Sequence, residues 1–206
     1  PIIAGGTFIM SQPDVILPRV PIDIACTGEG DEIIVELVER LVNKTSLDGL
    51  WNIASLVNGE VVKSETRLVA DLDAFPSPAY ECLDMNRYLV NNISSIGEFY
   101  FPLPSGRGCP HHCYYCGRPY QKVRRPSPEK LLGLMDKINS RYGVSNFVFN
   151  DDGALFPKDW ILALCLLLEE SNKGYRFAVA GCPEQVDEEV IQRLKRAGCT
   201  TIGLGV

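Results

Sequence analysis

Cys109-Pro110-His111-His112-Cys113-Tyr114-Tyr115-Cys116 sets three thiols at spacings of four and three residues. An apolar, strand-like run, Phe99 to Leu103, precedes it, and a helix start, Ser127-Pro128-Glu129-Lys130, follows it. Thiolates are soft ligands; three within eight residues can wrap one face of an iron–sulfur cluster or take three of zinc's four positions. A structural zinc or an electron-transfer cluster closes its shell with a fourth protein ligand, and no second cysteine pair adjoins this one in sequence. Three cysteines therefore point to an iron left open to a substrate or cofactor.

Working outward, the strand, loop and helix begin a repeating series. Ser127 reads as a helix cap and Pro128 as the first helical residue, with Leu131, Leu134, Met135 and Ile138 as the buried face. Asn146 to Asn150 is the next strand, Pro157 to Ser171 the next helix, Tyr175 to Ala180 the third strand and Val186 to Ala197 the third helix. Thr200 to Leu204 begins a fourth strand. Such βα repetition requires parallel strands joined by right-handed crossovers.

Upstream, Pro1 to Ala4 is a short apolar strand ending in Gly5-Gly6, with a helical turn or two over Ser11 to Leu17. Ile22 to Cys26 is a second strand, followed by Thr27-Gly28-Glu29-Gly30-Asp31 and a helix over Glu32 to Asn43. Ile33, Ile34, Leu37, Val38 and Leu41 give that helix one apolar face. Two βα units in succession predict an open parallel sheet with a ligand site at the strand's carboxyl end, over Thr27 to Asp31. Gly28-Glu29-Gly30 lacks the third, helix-opening glycine of a dinucleotide fingerprint. Trp51 to Val57 and Glu60 to Ser64, separated by Asn58-Gly59, read as a hairpin insertion. The proline-punctuated Asp71 to Ala79 reads as a linker, and Tyr80 to Glu98 as irregular with one short helix. The expected division is 1–70, 71–98 and 99–206, all of α/β class.

Composition narrows the function classes. The 46% hydrophobic and 22% charged content is that of a folded globular chain. A net charge of -6 argues against a general nucleic-acid surface. The longest apolar run, Trp160 to Leu168, is too short to span a bilayer, so no membrane anchor is expected. Eight cysteines without a signal peptide, three of them clustered, suit a reducing cytoplasm better than a disulfide framework. Cys26, Cys82, Cys165 and Cys199 read as isolated, buried thiols. The chain starts at Pro1 and stops in a strand at Val206, so it reads as a piece of a longer protein that is inactive alone.

The Cys-x3-Cys-x2-Cys spacing, with Tyr115 before the last cysteine and Gly106-Arg107-Gly108-Cys109-Pro110 at its front, resembles the radical S-adenosylmethionine superfamily. The resemblance implies a [4Fe-4S] cluster on Cys109, Cys113 and Cys116. S-adenosylmethionine would chelate the open iron, with Tyr115 against its adenine, and one electron would cleave it to a 5′-deoxyadenosyl radical. Gly5-Gly6 followed by Asp23 to Asp31 looks like the closing part of a cobalamin-binding domain, which makes Gly5, Gly6, Gly28, Glu29 and Gly30 candidates for that cofactor. Glycine lets the backbone approach a bulky ligand. The implied fold is the end of a Rossmann-like cobalamin-binding domain followed by the first part of a partial (β/α)6 barrel.

After the second strand, Asp151 and Asp152 are candidates for the cofactor's ammonium, against the plainer role of a turn or helix cap. After the third, Cys182 stands where relatives carry an arginine, and Glu184 is a candidate for a hydroxyl contact. His111 and His112 read as loop residues; Arg107 and Arg118 flank the loop and offset the cluster's charge or face solvent. The resemblance implies cobalamin-dependent methyl transfer to an unactivated carbon of a small-molecule substrate, with a flavodoxin or ferredoxin as electron donor. A radical cyclase and a methylthiotransferase are the enzymatic alternatives; the alternative of another class is a noncatalytic zinc module on the three cysteines and a histidine.

Overall fold

The computed structural model describes residues 1–91, 99–116, 120–151 and 153–205, and among these the chain forms two four-stranded sheets. Pro1–Ala70 and the loop segment from His112 group into one compact unit, and Asp71–His111 with the chain from Tyr120 onward into another.

In the first unit, β1 (Ile3–Ala4) pairs parallel with β2 (Ile24–Cys26). Between them lie α1 (Thr7–Ser11) and α2 (Pro13–Ile16) in place of one helix over Ser11 to Leu17. Pro13 has no N–H to continue a helix and sits at the first position of a new one. After β2 comes α3 (Ile34–Asn43), closed by Lys44 in the left-handed conformation. Only part of its apolar stripe is covered: Ile33 and Leu37 are buried against Ile24, Leu50 and Ile53, whereas Ile34 and Val38 are 42% and 44% exposed.

The expected hairpin insertion is an integral part of this sheet. β3 (Ile53–Val57) pairs antiparallel with β2, Ala25 opposite Ala54, and β4 (Glu60–Lys63) pairs with β3. The sheet is therefore mixed, not wholly parallel. Asn58 and Gly59 both take positive φ, 52° and 85°, as a two-residue turn between right-twisted strands requires.

The second unit opens with a 3-10 turn at Leu72–Ala74, another at Tyr80–Cys82, and α4 (Met85–Asn91). Its sheet holds β5 (Phe101–Leu103), β6 (Asn146–Phe149), β7 (Arg176–Gly181) and β8 (Cys199–Leu204), all parallel and in chain order. The helices α5 (Pro128–Tyr142), α6 (Lys158–Ser171) and α7 (Glu188–Arg196) make the crossovers. Phe101, Phe147 and Phe177 stand side by side in register, with Leu103, Phe149 and Val179 two residues further along each strand. All six are buried in one core with Leu131, Leu134, Met135 and Ile138 of α5.

The start of α5 also holds the stretch read as a linker. Lys130 donates from Nζ to the carbonyls of Leu72 (3.1 Å), Asp73 (2.7 Å) and Phe75, which uses all three ammonium protons. Asp73 accepts from the Ser127 amide at 2.8 Å, and the Ser127 hydroxyl caps α5 by accepting from the Lys130 amide at 3.2 Å. Ser127→Ala is expected to destabilise the second unit by about 1 kcal/mol, read as a lowered urea midpoint of the metal-free protein with unchanged slope. An unchanged midpoint would show that the cap contributes nothing.

Candidate active site

The cysteine loop leaves the carboxyl end of β5 and returns to α5 through a narrow neck. Arg107 and Arg124 exchange two backbone hydrogen bonds of 2.9 Å, and the Cys109 amide donates to the Tyr120 carbonyl at 3.1 Å. Gly108 has φ +86°, and a Cβ there would overlap the Lys122 carbonyl, so the lead-in glycine is required by the neck itself. Farther out, the Cys116 amide donates to the Cys113 carbonyl at 3.0 Å, making a turn of the last cysteine pair. Cys109 is half-buried, while Cys113 and Cys116 are exposed. Tyr115 is 89% exposed, leaving its ring surface accessible to a ligand.

No disulfide links any of the eight cysteines. A loop presenting three thiols of which two face solvent fits an iron–sulfur cluster as a donor set, since each can bind as thiolate without breaking a packed core. Cys165 is buried, and burial pushes its thiol up to about 12; burial likewise raises half-buried Cys199 to about 11. Cys82 is a correction to the expectation of burial: it is exposed at the end of its 3-10 turn. Alkylation of metal-free protein at mildly alkaline pH is expected to label the exposed Cys82, Cys113 and Cys116 first and to spare Cys165, because the thiolate is the reactive form. Peptide mass spectrometry reads the order; early labelling of Cys165 would contradict its placement.

At the end of β6, the Asp151 carboxylate is turned inward. It accepts from the Ser105 amide at 2.9 Å, from the Ser105 hydroxyl, and from Arg125 Nη1 at 2.6 Å. Both side chains of the ion pair are only 5% exposed. Burial lowers the pKa of Arg125, and Asp151 opposes that shift. The structure thus gives Asp151 an internal partner; Asp152 and Arg118 lie outside the described residues.

At the end of β7, Cys182 is half-buried and its amide donates to Gln185 Oε1 at 3.0 Å across a 3-10 turn, Pro183–Gln185. His111 Nδ1 stands 3.8 Å from the exposed Glu184 carboxylate. His111, Cys182 and Glu184 bring one donor atom each to within 4.8 Å of one another, and among the described residues this is the one such group of metal-type donors. His111 and Glu184 line a cleft of about 320 Å³ with Pro110, Leu155, Phe156 and Lys158. His111 Nε2 is buried and has no hydrogen-bond partner among the described residues. His111 therefore faces the end of β7, a placement that its position in the loop did not announce.

In the first unit, Gly5 lies against Cys26 Cβ and Gly6, with φ +101°, opens α1 with free space where a side chain would stand. Gly28 and Glu29 are built into the fold instead. A Cβ on Gly28 would overlap the amide of Asn52, which is buried in the left-handed conformation. Asn52 donates to the carbonyls of Glu29 (3.0 Å) and Arg67 (2.9 Å) and accepts from the Arg67 amide at 2.7 Å. Buried Glu29 accepts from the Val69 amide at 2.7 Å, and Gly30 packs on Cys26 Sγ. Asn52 escaped the sequence reading; an asparagine at the mouth of an apolar strand is its only trace.

Comparison with known proteins places the fold and the family. An uncharacterized methyltransferase of Pyrococcus horikoshii is 24% identical over 210 residues, which span 100% of this chain and 45% of that protein. The anaerobic magnesium-protoporphyrin IX monomethyl ester cyclase of Synechocystis is 24% identical over 211 residues, 100% of this chain and 41% of the cyclase. The chain thus spans less than half the length of these curated relatives. Among solved structures, the radical S-adenosylmethionine methyltransferase TsrM of Kitasatospora setae, with cobalamin and a [4Fe-4S] cluster bound, superposes with a TM-score of 0.78 at 15% identity, covering 100% of this chain and 41% of TsrM. The sequence profile of the Radical SAM superfamily matches residues 103–206, the stretch that runs from the end of β5 through the three-cysteine loop and every later strand, and the chain belongs to that superfamily.

Proposed function

We propose that the protein is a cobalamin-dependent radical S-adenosylmethionine enzyme that transfers a methyl group to an unactivated carbon of a small molecule. The observation that carries the reading is the loop of Cys109, Cys113 and Cys116, three free thiols at the carboxyl end of a parallel sheet in a superfamily defined by that chemistry. When bound, the cluster supplies the electron that splits the sulfonium of S-adenosylmethionine. Cys109, Cys113 and Cys116 hold the cluster, and Tyr115 offers an exposed ring to the adenine. Asp152 and the exposed Glu184 are the acidic groups assigned to the ammonium and a hydroxyl of S-adenosylmethionine, since Asp151 is already matched by Arg125. The second unit, on this reading, is the first part of a partial (β/α)6 barrel, and electrons arrive from a flavodoxin- or ferredoxin-like donor.

The first unit is read as the closing part of a cobalamin-binding domain. Support comes from the likeness to TsrM, which extends over the whole chain, and from the open space beside Gly6. Gly28, Glu29 and Gly30 would shape the neighbouring loop through Asn52 and Val69. The test is retention of hydroxocobalamin through desalting, read from its visible spectrum. Stoichiometric retention supports methyl transfer; no retention removes the cobalamin part and leaves the superfamily chemistry standing. The cyclase relative favours ring closure as the second reading, and product mass separates the two, because only methyl transfer adds a carbon.

No helix among the described residues is long and apolar enough to cross a membrane. Placement in the cytoplasm rests on the reduced, clustered thiols that the proposed chemistry needs.

A further inference from the structure

The second unit buries a charged pair that cluster ligation does not use. Arg125 spends its forked donors on four residues in three stretches of chain. Nη1 donates to Asp151 Oδ2 at 2.6 Å and to the Ser105 carbonyl at 3.1 Å, Nη2 to the Gly153 carbonyl, and Nε to the Phe156 carbonyl at 2.8 Å. The guanidinium lies 5.0 Å from the ring centre of Trp160, whose indole N–H donates to the Pro126 carbonyl at 2.7 Å. Asp151 in turn holds both the amide and the hydroxyl of Ser105. A charge this deeply buried is tolerated only when paired and hydrogen-bonded; here Arg125 is paired with Asp151, and each of its three nitrogens donates to an acceptor.

The anchored stretches are telling. Ser105 is the exit of β5, next to Gly106-Arg107-Gly108-Cys109; Arg125 and Pro126 are the return from the cysteine loop; Asp151 and Gly153 are the exit of β6; Phe156 and Trp160 lead into α6. One guanidinium thus ties both ends of the loop's neck to the neighbouring strand end. The lead-in glycine reserves its space, since a Cβ on Gly106 would run into the Arg125 side chain, 2.8 Å from its Cδ and its Cζ.

We propose that Arg125, held by Asp151, is a positioning residue that sets the orientation of the cysteine loop against the ends of β5 and β6, and so governs how tightly S-adenosylmethionine binds the cluster on that loop. The inference rests on the radical S-adenosylmethionine reading and goes beyond it, because Arg125 and Asp151 are matched to each other and to the protein's own groups, and that reading assigns neither of them a contact with the cofactor. Arg125→Lys keeps the charge opposite Asp151 but loses the fork that spans Ser105, Gly153 and Phe156. Ser105→Ala removes the hydroxyl's bond to Asp151 and its weak 3.5 Å bond from Arg125, and leaves the ion pair.

Both variants, reconstituted anaerobically beside the wild type, are assayed for iron and sulfide content, for S-adenosylmethionine dissociation constant and for the electron paramagnetic resonance spectrum with the cofactor added. The expected result for Arg125→Lys is wild-type cluster content with S-adenosylmethionine affinity weakened about 10- to 100-fold and an altered cofactor-bound spectrum. Ser105→Ala should move both readouts in the same direction by less. Wild-type affinity and spectrum in both variants, or loss of cluster in proportion to loss of fold with normal cofactor binding in what remains, overturns the proposal. If the wild type itself forms no cluster that responds to S-adenosylmethionine, the underlying reading fails instead, and the wild-type control shows which has happened.

Discussion

A Cys113→Ala protein is expected to hold no [4Fe-4S] cluster after anaerobic reconstitution, and to give no cleavage of S-adenosylmethionine. The superfamily's cluster takes three protein sulfurs, so loss of one leaves two irons without a protein ligand, and neither Cys165 nor Cys199 offers a ready substitute. Cys165 is buried with a thiol raised to about 12, and Cys199 is half-buried and raised to about 11. Both are poor thiolates. Cys109→Ala and Cys116→Ala should behave in the same way, whereas Cys82→Ala should reconstitute normally. Iron and sulfide analysis with the visible iron–sulfur absorbance decides the matter. Full cluster content in Cys113→Ala would remove this residue from the ligand set, and zinc in place of iron in the wild type would favour the noncatalytic module.

The second large effect concerns the sheet that carries the loop. Phe177→Ala is expected to destabilise the protein by about 3–5 kcal/mol, the range for emptying a fully buried aromatic site. Phe177 is fully buried, sits in register with Phe147, and its ring stacks on Phe149 with centroids 5.1 Å apart. Phe147 meets Tyr175 edge-on at 5.4 Å, so the aromatic row continues beyond the pair. Little of this wall can collapse into the gap, because the strands are fixed by their ladders and the covering residues of α5 are already close-packed. Urea unfolding of the metal-free protein measures it. A loss below about 1 kcal/mol would mean that the aromatic row is not the packed centre of the unit.

What the sequence revealed was local. α5 was legible because its cap, its first proline and its buried Leu131, Leu134, Met135 and Ile138 all lie within one stretch and obey one period. The Asn58-Gly59 turn was legible because its backbone demand is written in those two residues. The pairing of β3 with β2 was not, since it joins Ile53 to Cys26 across the whole of α3. Nor was the exposure of Ile34 and Val38, because periodicity marks an apolar stripe without showing how much of it a neighbour covers.

The site divides along the same line. The three cysteines announce themselves by spacing, and the superfamily they point to is the one whose profile matches residues 103–206. Asp151 stood out as half of an acidic pair, but its partner lies 26 residues back, and the arginine there had no local feature to mark it. Gly28 was noticed as a loop glycine; that the Asn52 side chain fills the space beside it is a long-range fact of packing. Glu29 likewise gave no hint that its carboxylate would seek the Val69 amide 40 residues away.

The most direct test of the central claim is electron paramagnetic resonance of the anaerobically reconstituted, dithionite-reduced protein with and without S-adenosylmethionine. The account predicts a reduced [4Fe-4S] signal that shifts when S-adenosylmethionine is added, because the fourth iron is open to it. A zinc-containing sample with no signal, or a cluster signal indifferent to the cofactor, would contradict the account.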